Sequence, residues 1–206
     1  MNCARFALVF LLIACGDAFC QTNDSEDASK IDKKKVENIK EVKLINITLA
    51  DGAIELKLPE TWKQTPPQSR IIEREFAVPA AEGDKREGRL TMMRSGGSVT
   101  QNIERWYGQF TQPDKRPTKD TAKMEKKEIN GQEVVIVDIS GTFKDSQGGG
   151  PFAPGKIIER KDYRMLGGIV QTKQRGQYFF KLYGPKNTIE SAAKSFAKMM
   201  DSITSK

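Results

Sequence analysis

Apolar and polar residues alternate along this chain with two different periods, and each period predicts a different element. From Val42 the period is two. Leu44 to Leu49 ends in Asp51-Gly52, a dipeptide that accepts the positive φ angles of a tight turn, and Ile54, Leu56 and Leu58 then alternate with Glu55 and Lys57. That is a hairpin with one face buried and one wet. Ile71 to Val78 and Gly88 to Arg94 read as a second strand pair, joined by the polar stretch Ala81 to Glu87. Thr121 to Ile129 is a charged, weak strand that Asn130-Gly131 turns into Gln132 to Phe143. Within that strand, Val134 to Val137 and Ile139 are apolar on both faces, as are most residues of Tyr178 to Tyr183. Strands of this kind lie in the middle of a sheet covered on both sides, whereas the lysine-rich strand belongs near an edge.

The period changes to three and four in two places. Ser98-x-x-Gln101 has the spacing of a capping box, and Val99, Ile103, Trp106, Tyr107 and Phe110 follow as one helical stripe that Pro113 and Pro117 terminate. After Gly184-Pro185, Asn187-x-x-Glu190 offers a cap for a last helix. Its stripe is Ile189, Ala192, Ala193, Phe196, Met200 and Ile203. The order of elements predicts one α+β domain over 42–206, an antiparallel β-sheet flanked by helices in an α/β/α sandwich. Two polar residues break the apolar runs. Arg74 shares a strand face with Phe76 and Val78, which marks a rim arginine paired with a carboxylate or a guanidinium facing a ligand. Asp138 is expected to be a strand-end aspartate bonded to a loop donor, with a functional acid as the alternative.

The N-terminal part has neither period. Phe6 to Ala14 is an apolar run too short to span a bilayer and of signal-peptide length, so residues 1–20 are expected to direct export to the periplasm or cell envelope. Two cleavage readings stand. Leu12-Ile13-Ala14-Cys15 resembles a bacterial lipobox, which would make Cys15 a lipidated N-terminus, and Ala18-Phe19-Cys20 would place an ordinary cut before Gln21. Residues 21–41 hold Asn, Asp, Ser, Glu and Lys with almost no large apolar group, the composition of a disordered tether.

Composition narrows the chemistry. Among the 206 residues there is no histidine, which removes the commonest proton-transfer group and metal ligand. Cys3, Cys15 and Cys20 all lie before the domain, so the domain has no disulfide and no thiol nucleophile. The net charge of +7 is interspersed with acidic residues and describes a solvated surface instead of a nucleic-acid face. Gly150 to Lys156 matches the spacing of a phosphate-cradling loop, but Ile157 stands where a Ser or Thr is needed and Pro151 and Pro154 delete two donors. No nucleotide, cofactor or metal is expected. An exported, non-catalytic binding or accessory protein is the first reading. Its partner would be an unknown protein or envelope component. A hydrolase or calcium-dependent enzyme built from converging carboxylates is the alternative. Because sheet side chains are committed to the core, partner contacts are expected on the loops Ala81 to Arg89 and Asp145 to Lys156, with Arg86, Arg89 and Lys156 as the charges that make them.

Leu58-Pro59-x-x-Trp62 after the first hairpin, and Gln177 to Pro185 leading into Phe196-x-x-Met199-Met200-x-Ser202-Ile203, resemble the PsbP-like family over about Val42 to Ile203. The resemblance implies an antiparallel sheet between helices. Known members, an extrinsic photosystem protein and a Ran-binding relative among them, act as binding or assembly partners. No binding residue of either matches here one to one, so the resemblance implies a class of role and no particular partner.

Overall fold

The structure, a computed structural model, describes residues 42–147 and 155–206. The expected signal peptide, Cys15, the expected tether and most of the glycine-rich loop before Lys156 lie outside the described residues. In chain order the elements are β1 (Leu44–Leu49), β2 (Ile54–Pro59), β3 (Lys63–Thr65), β4 (Arg74–Val78), β5 (Gly88–Ser95), α1 (Val99–Gly108), β6 (Phe110–Thr111) and α2 (Thr118–Thr121). They continue with β7 (Lys123–Ile129), β8 (Gln132–Gln147), β9 (Lys156–Thr172), β10 (Gly176–Pro185), α3 (Lys186–Asp201) and β11 (Thr204–Ser205).

Eight strands form one sheet in the order β3-β4-β5-β10-β9-β8-β6, with β7 also paired to β8, and every pairing in it is antiparallel. The central strands sort their side chains by parity. Val134, Val170, Tyr178, Phe180 and Leu182 join a core with α3, whereas Val135, Val137, Ile169 and Phe179 join a second core with Ile103 and Trp106 of α1. The two helices therefore cover opposite faces, and the lysine-rich β7 does lie at an edge, as its composition predicts.

Adjacent glycines at the centre of β9 set how closely the helices approach. A Cβ on Gly167 would lie 2.4 Å from Cζ3 of Trp106, and one on Gly168 would lie 2.5 Å from Cε of Met200. Successive strand residues face opposite ways, so one glycine seats α1 and the next seats α3.

Several expectations change. The first hairpin does not join the main sheet: β1, β2 and β11 form a separate three-stranded sheet, closed by the chain's last residues, with Thr204 opposite Glu55. It packs with α3 on one face of the large sheet, so this side is a helix plus a small sheet and not a helix alone. Ser98 does cap α1, with the reciprocal Gln101 contact present. Phe110 leaves the helix, however, because α1 ends at Gly108 and Phe110 pairs with Phe143 as strand β6. Asn187 does not cap α3, which already begins at Lys186 behind Pro185. Its first turn is satisfied from a distance: the Asp84 carboxylate accepts from the Thr188 backbone N–H at 2.8 Å and from the Thr188 hydroxyl at 2.7 Å.

Candidate functional site

Helix α1 has ten residues and so is about 15 Å long, while the sheet is seven strands wide, since β6 and β7 share one side of β8, and at about 4.8 Å spacing spans roughly twice that. Part of its sheet face must therefore carry groups that satisfy one another. On β4, β5 and β10, Glu75, Arg89, Lys181 and Tyr183 share that face by parity, and Glu75 and Lys181 are buried there. Arg89 donates from Nε to Glu75 at 2.6 Å and from Nη2 at 2.9 Å, a two-point ion pair, and Nη1 donates to the Tyr183 hydroxyl. The Gln68 backbone N–H adds a further donor to Glu75 at 3.0 Å. Burial opposes the Glu75 charge, but the Arg89 and Gln68 donors outweigh it and hold the carboxyl below its usual pKa. Burial likewise opposes the Arg89 charge, and Glu75 and Tyr183 outweigh it.

Lys181 is the unusual member. Only 8% of it is exposed, it forms no ion pair among the described residues, and its ammonium donates to Gln109 Oε1 at the C-terminal cap of α1. Its Nζ also sits 5.3 Å and 4.9 Å from the ring centroids of Phe143 and Tyr183. Burial, with the Arg89 charge adding to it, pulls its pKa down to about 7. A sequence signal existed: Lys181 is the charged residue in an otherwise apolar strand.

The residues expected to bind a partner are not brought together as one patch. Arg86 is exposed in the β4–β5 loop, and Lys156 is exposed at the start of β9, opposite Gln147. Arg89 is a strand residue and not a loop residue, because β5 begins at Gly88, and its guanidinium is committed to Glu75. Asp138 is also corrected. It lies inside β8 and not at its end, and its partner is Arg164 on the neighbouring strand, at 2.9 Å and 2.8 Å, not a loop donor. Arg74 forms no ion pair among the described residues, and its buried Nε has no hydrogen-bond partner there. Asp145 faces Arg160 at 3.2 Å.

No group of three or more Asp, Glu, His or Cys converges among the described residues to hold a metal. Glu75, Asp138 and Asp145 each face an arginine instead of one another. No helix among the described residues is long and apolar enough to cross a membrane.

Sequence reasoning missed a further surface. Between β7 and α3 runs a groove of 270 Å³ lined by Ile136, Leu166, Phe196 and Met200 with Ala193 and Ala197 on the helix side. Asp138, Lys123 and Lys127 are at its rim. Alternation in β8 and the stripe of α3 were both legible, but the gap between them depends on where the edge strand ends.

No family model and no curated protein matches the chain. Solved structures similar to it include the PsbP of the cyanobacterium Synechocystis sp. PCC 6803, at 12% identity and a TM-score of 0.49, covering 82% of this chain and 96% of that one. The first of these is a PsbP, the family the sequence resembles. Another is LpqN of Mycobacterium tuberculosis, described as involved in cell envelope biogenesis, at 11% identity and a TM-score of 0.45, covering 80% of this chain and 91% of that one. At these identities and TM-scores they assign neither a site residue nor a role to this chain.

Proposed function

We propose that this chain is an exported, non-catalytic binding or accessory protein of the cell envelope, held at the membrane by lipid on Cys15 and working through contacts with a protein or envelope component. The observation that carries the non-catalytic part is the pairing of carboxylates. A general acid or base needs a carboxyl group free to exchange its proton with substrate, and Glu75, Asp138 and Asp145 are each bound to an arginine. Export and anchoring rest on the apolar run Phe6 to Ala14 and on the lipobox-like sequence that ends in Cys15. Arg86 and Lys156, both exposed, are the proposed charged contacts, and Arg89 supports that end of the sheet through Glu75.

Affinity capture from native membranes with the full chain as bait, read by mass spectrometry, tests this. A specific envelope partner should be recovered, with recovery falling as salt rises and falling again for the double variant Arg86→Ala, Lys156→Ala. Arg89 is tested as Arg89→Lys, since Arg89→Ala would strand the buried Glu75 charge. Recovery insensitive to salt and to the double variant would remove the proposed contacts. Turnover of an envelope substrate by the purified protein would remove the non-catalytic reading.

A further inference from the structure

We propose that β1 is the seam of a two-fold dimer, in which two copies of this chain join their three-stranded sheets edge to edge with Asn46 of one copy opposite Asn46 of the second. This surface is separate from the proposed contacts at Arg86 and Lys156. An open strand edge invites pairing, and the fold guards its other described edges by shortness or by charge. β3, β6 and β11 have three, two and two residues. β7 is rich in lysine, and the ends of β8 and β9 that project past β6 and β10 carry Lys144, Asp145 and Glu159 to Asp162. β1 is the exception. It is six residues long and uncharged throughout, it pairs with β2 on one side, and among the described residues its other edge has no main-chain partner. Leu44 is 49% exposed, and Asn46 and Thr48 are exposed with it.

The hydrogen bonds of β2 show which groups of β1 are free. The Lys57 N–H donates to the Ser202 hydroxyl at 2.9 Å, on the side of β2 away from β1, so Lys57 and its opposite number Asn46 do not bond to each other. In an antiparallel pair such residues alternate with bonded ones, which places Leu44 and Thr48 in the same class as Asn46. Leu44 lies opposite Pro59, which has no N–H to give, and the Glu60 N–H donates to the Lys43 carbonyl, as the alternation requires. Leu44, Asn46 and Thr48 therefore turn their N–H and C=O groups to the open edge, while those of Ile45 and Ile47 are spent on β2.

Symmetry then selects the occupant. With the two-fold axis at Asn46, Leu44 of each copy meets Thr48 of the second and the two Asn46 residues meet each other. All three outward residues of both strands are then bonded, as about six hydrogen bonds. An axis at Thr48 would set Asn46 against Ala50, where the chain leaves the strand at a φ of 55°, and so would lose a pair. The side chains agree with the Asn46 axis. Leu44 covers the Thr48 methyl on the exposed face, the two Asn46 amides can bond to each other, and Ile45 meets Ile47 on the half-buried face. Charge does not oppose the seam: over β1, β2 and their turn, Lys43 and Lys57 stand against Asp51, Glu55 and Glu60, so the excess of +7 lies elsewhere. A bare edge with neither charge nor pocket gives a foreign strand nothing to be recognised by.

Sedimentation of the full chain carrying Cys15→Ser, so that no lipid gathers the copies, tests the seam. One strand pair makes a small interface, under about 1,200 Å², so the dimer should form at roughly 100 μM. Asn46→Lys and Asn46→Asp change an exposed side chain, and circular dichroism should show both folded. Each should raise the dissociation constant about tenfold or more, because like charges then face each other across the axis. Mixed in equal amounts, the two variants should dimerise to within about threefold of the parent. In hydrogen exchange followed by NMR, the Asn46 and Thr48 amides should be fast in dilute protein and slow as concentration rises, whereas Ile45 and Ile47 are protected in the monomer already. A monomer up to roughly 500 μM, a dimer indifferent to both variants, or a mixture that stays dissociated would overturn the proposal. Slowing of the Asn46 amide only on addition of membrane extract would give the edge to a foreign strand and overturn it as well.

Discussion

Replacing Lys181 by methionine should raise stability at neutral pH and flatten its pH dependence, because a buried ammonium costs the fold more than it returns. The unfolded side chain titrates at the ordinary lysine value of 10.5, whereas in the folded protein burial and Arg89 bring it to about 7. Below 7 both states carry the proton, and above 10.5 neither does. Between the two the unfolded chain holds a proton that the folded chain has released, so wild-type stability climbs with pH across that window. At about 1.4 kcal/mol per pH unit the full climb is about 5 kcal/mol. Cation–π contacts with Phe143 and Tyr183 favour the charged form by up to about 2 kcal/mol when desolvated, which leaves about 3. Methionine forfeits the hydrogen bond to Gln109, worth about 1 kcal/mol, since the half-buried amide can turn toward water. Lys181→Met should therefore lead by about 2 kcal/mol at pH 7 and lose that lead by pH 9.5. Urea midpoints for both proteins at half-unit steps from pH 6.5 to 9.5 provide the assay, with an unchanged slope required of each. The chain has no histidine to obscure the window. Two stability curves running parallel throughout would refute the argument.

Three further outcomes follow from the fold and the termini. Gly167→Ala places a Cβ against the Trp106 ring and should cost about 1–3 kcal/mol by urea unfolding; a loss no greater than that of an exposed Gly→Ala change would deny that α1 seats there. Asp84→Ala removes the acceptor for Thr188 and should cost about 0.5–2 kcal/mol, with Asp84→Asn recovering part of it. An unchanged midpoint for the alanine variant would deny the remote cap. Cells given labelled palmitate should label the wild type and not Cys15→Ser, whereas an unlabelled mature chain starting at Gln21 would establish the other cleavage.

What could be read from the sequence divides along a physical line. Periodicity is a one-dimensional record of which side of an element is dry, so it located β8, β10, α1 and α3 and the faces they bury. Contacts between residues distant in sequence leave no such record. Asp84 caps a helix that begins more than a hundred residues later, and no spacing around Asn187 announces it. Gly167 and Gly168 look like a weak point in a strand, and only the approach of Trp106 and Met200 explains them. β11 is two residues long, too short for any period.

The groove beside β7 was overlooked for a different reason, and it concerns the premise instead of the signal. Loops were favoured because sheet side chains are consumed by the core, and for β8, β9 and β10 they are. A strand offers two separable resources, however: its side chains point above and below the sheet, while its N–H and C=O groups point along it. Filling the core spends the first and leaves the second untouched wherever a strand has one neighbour. β7 is such a strand, and its exposed lysines mark it as an edge that resists indiscriminate pairing.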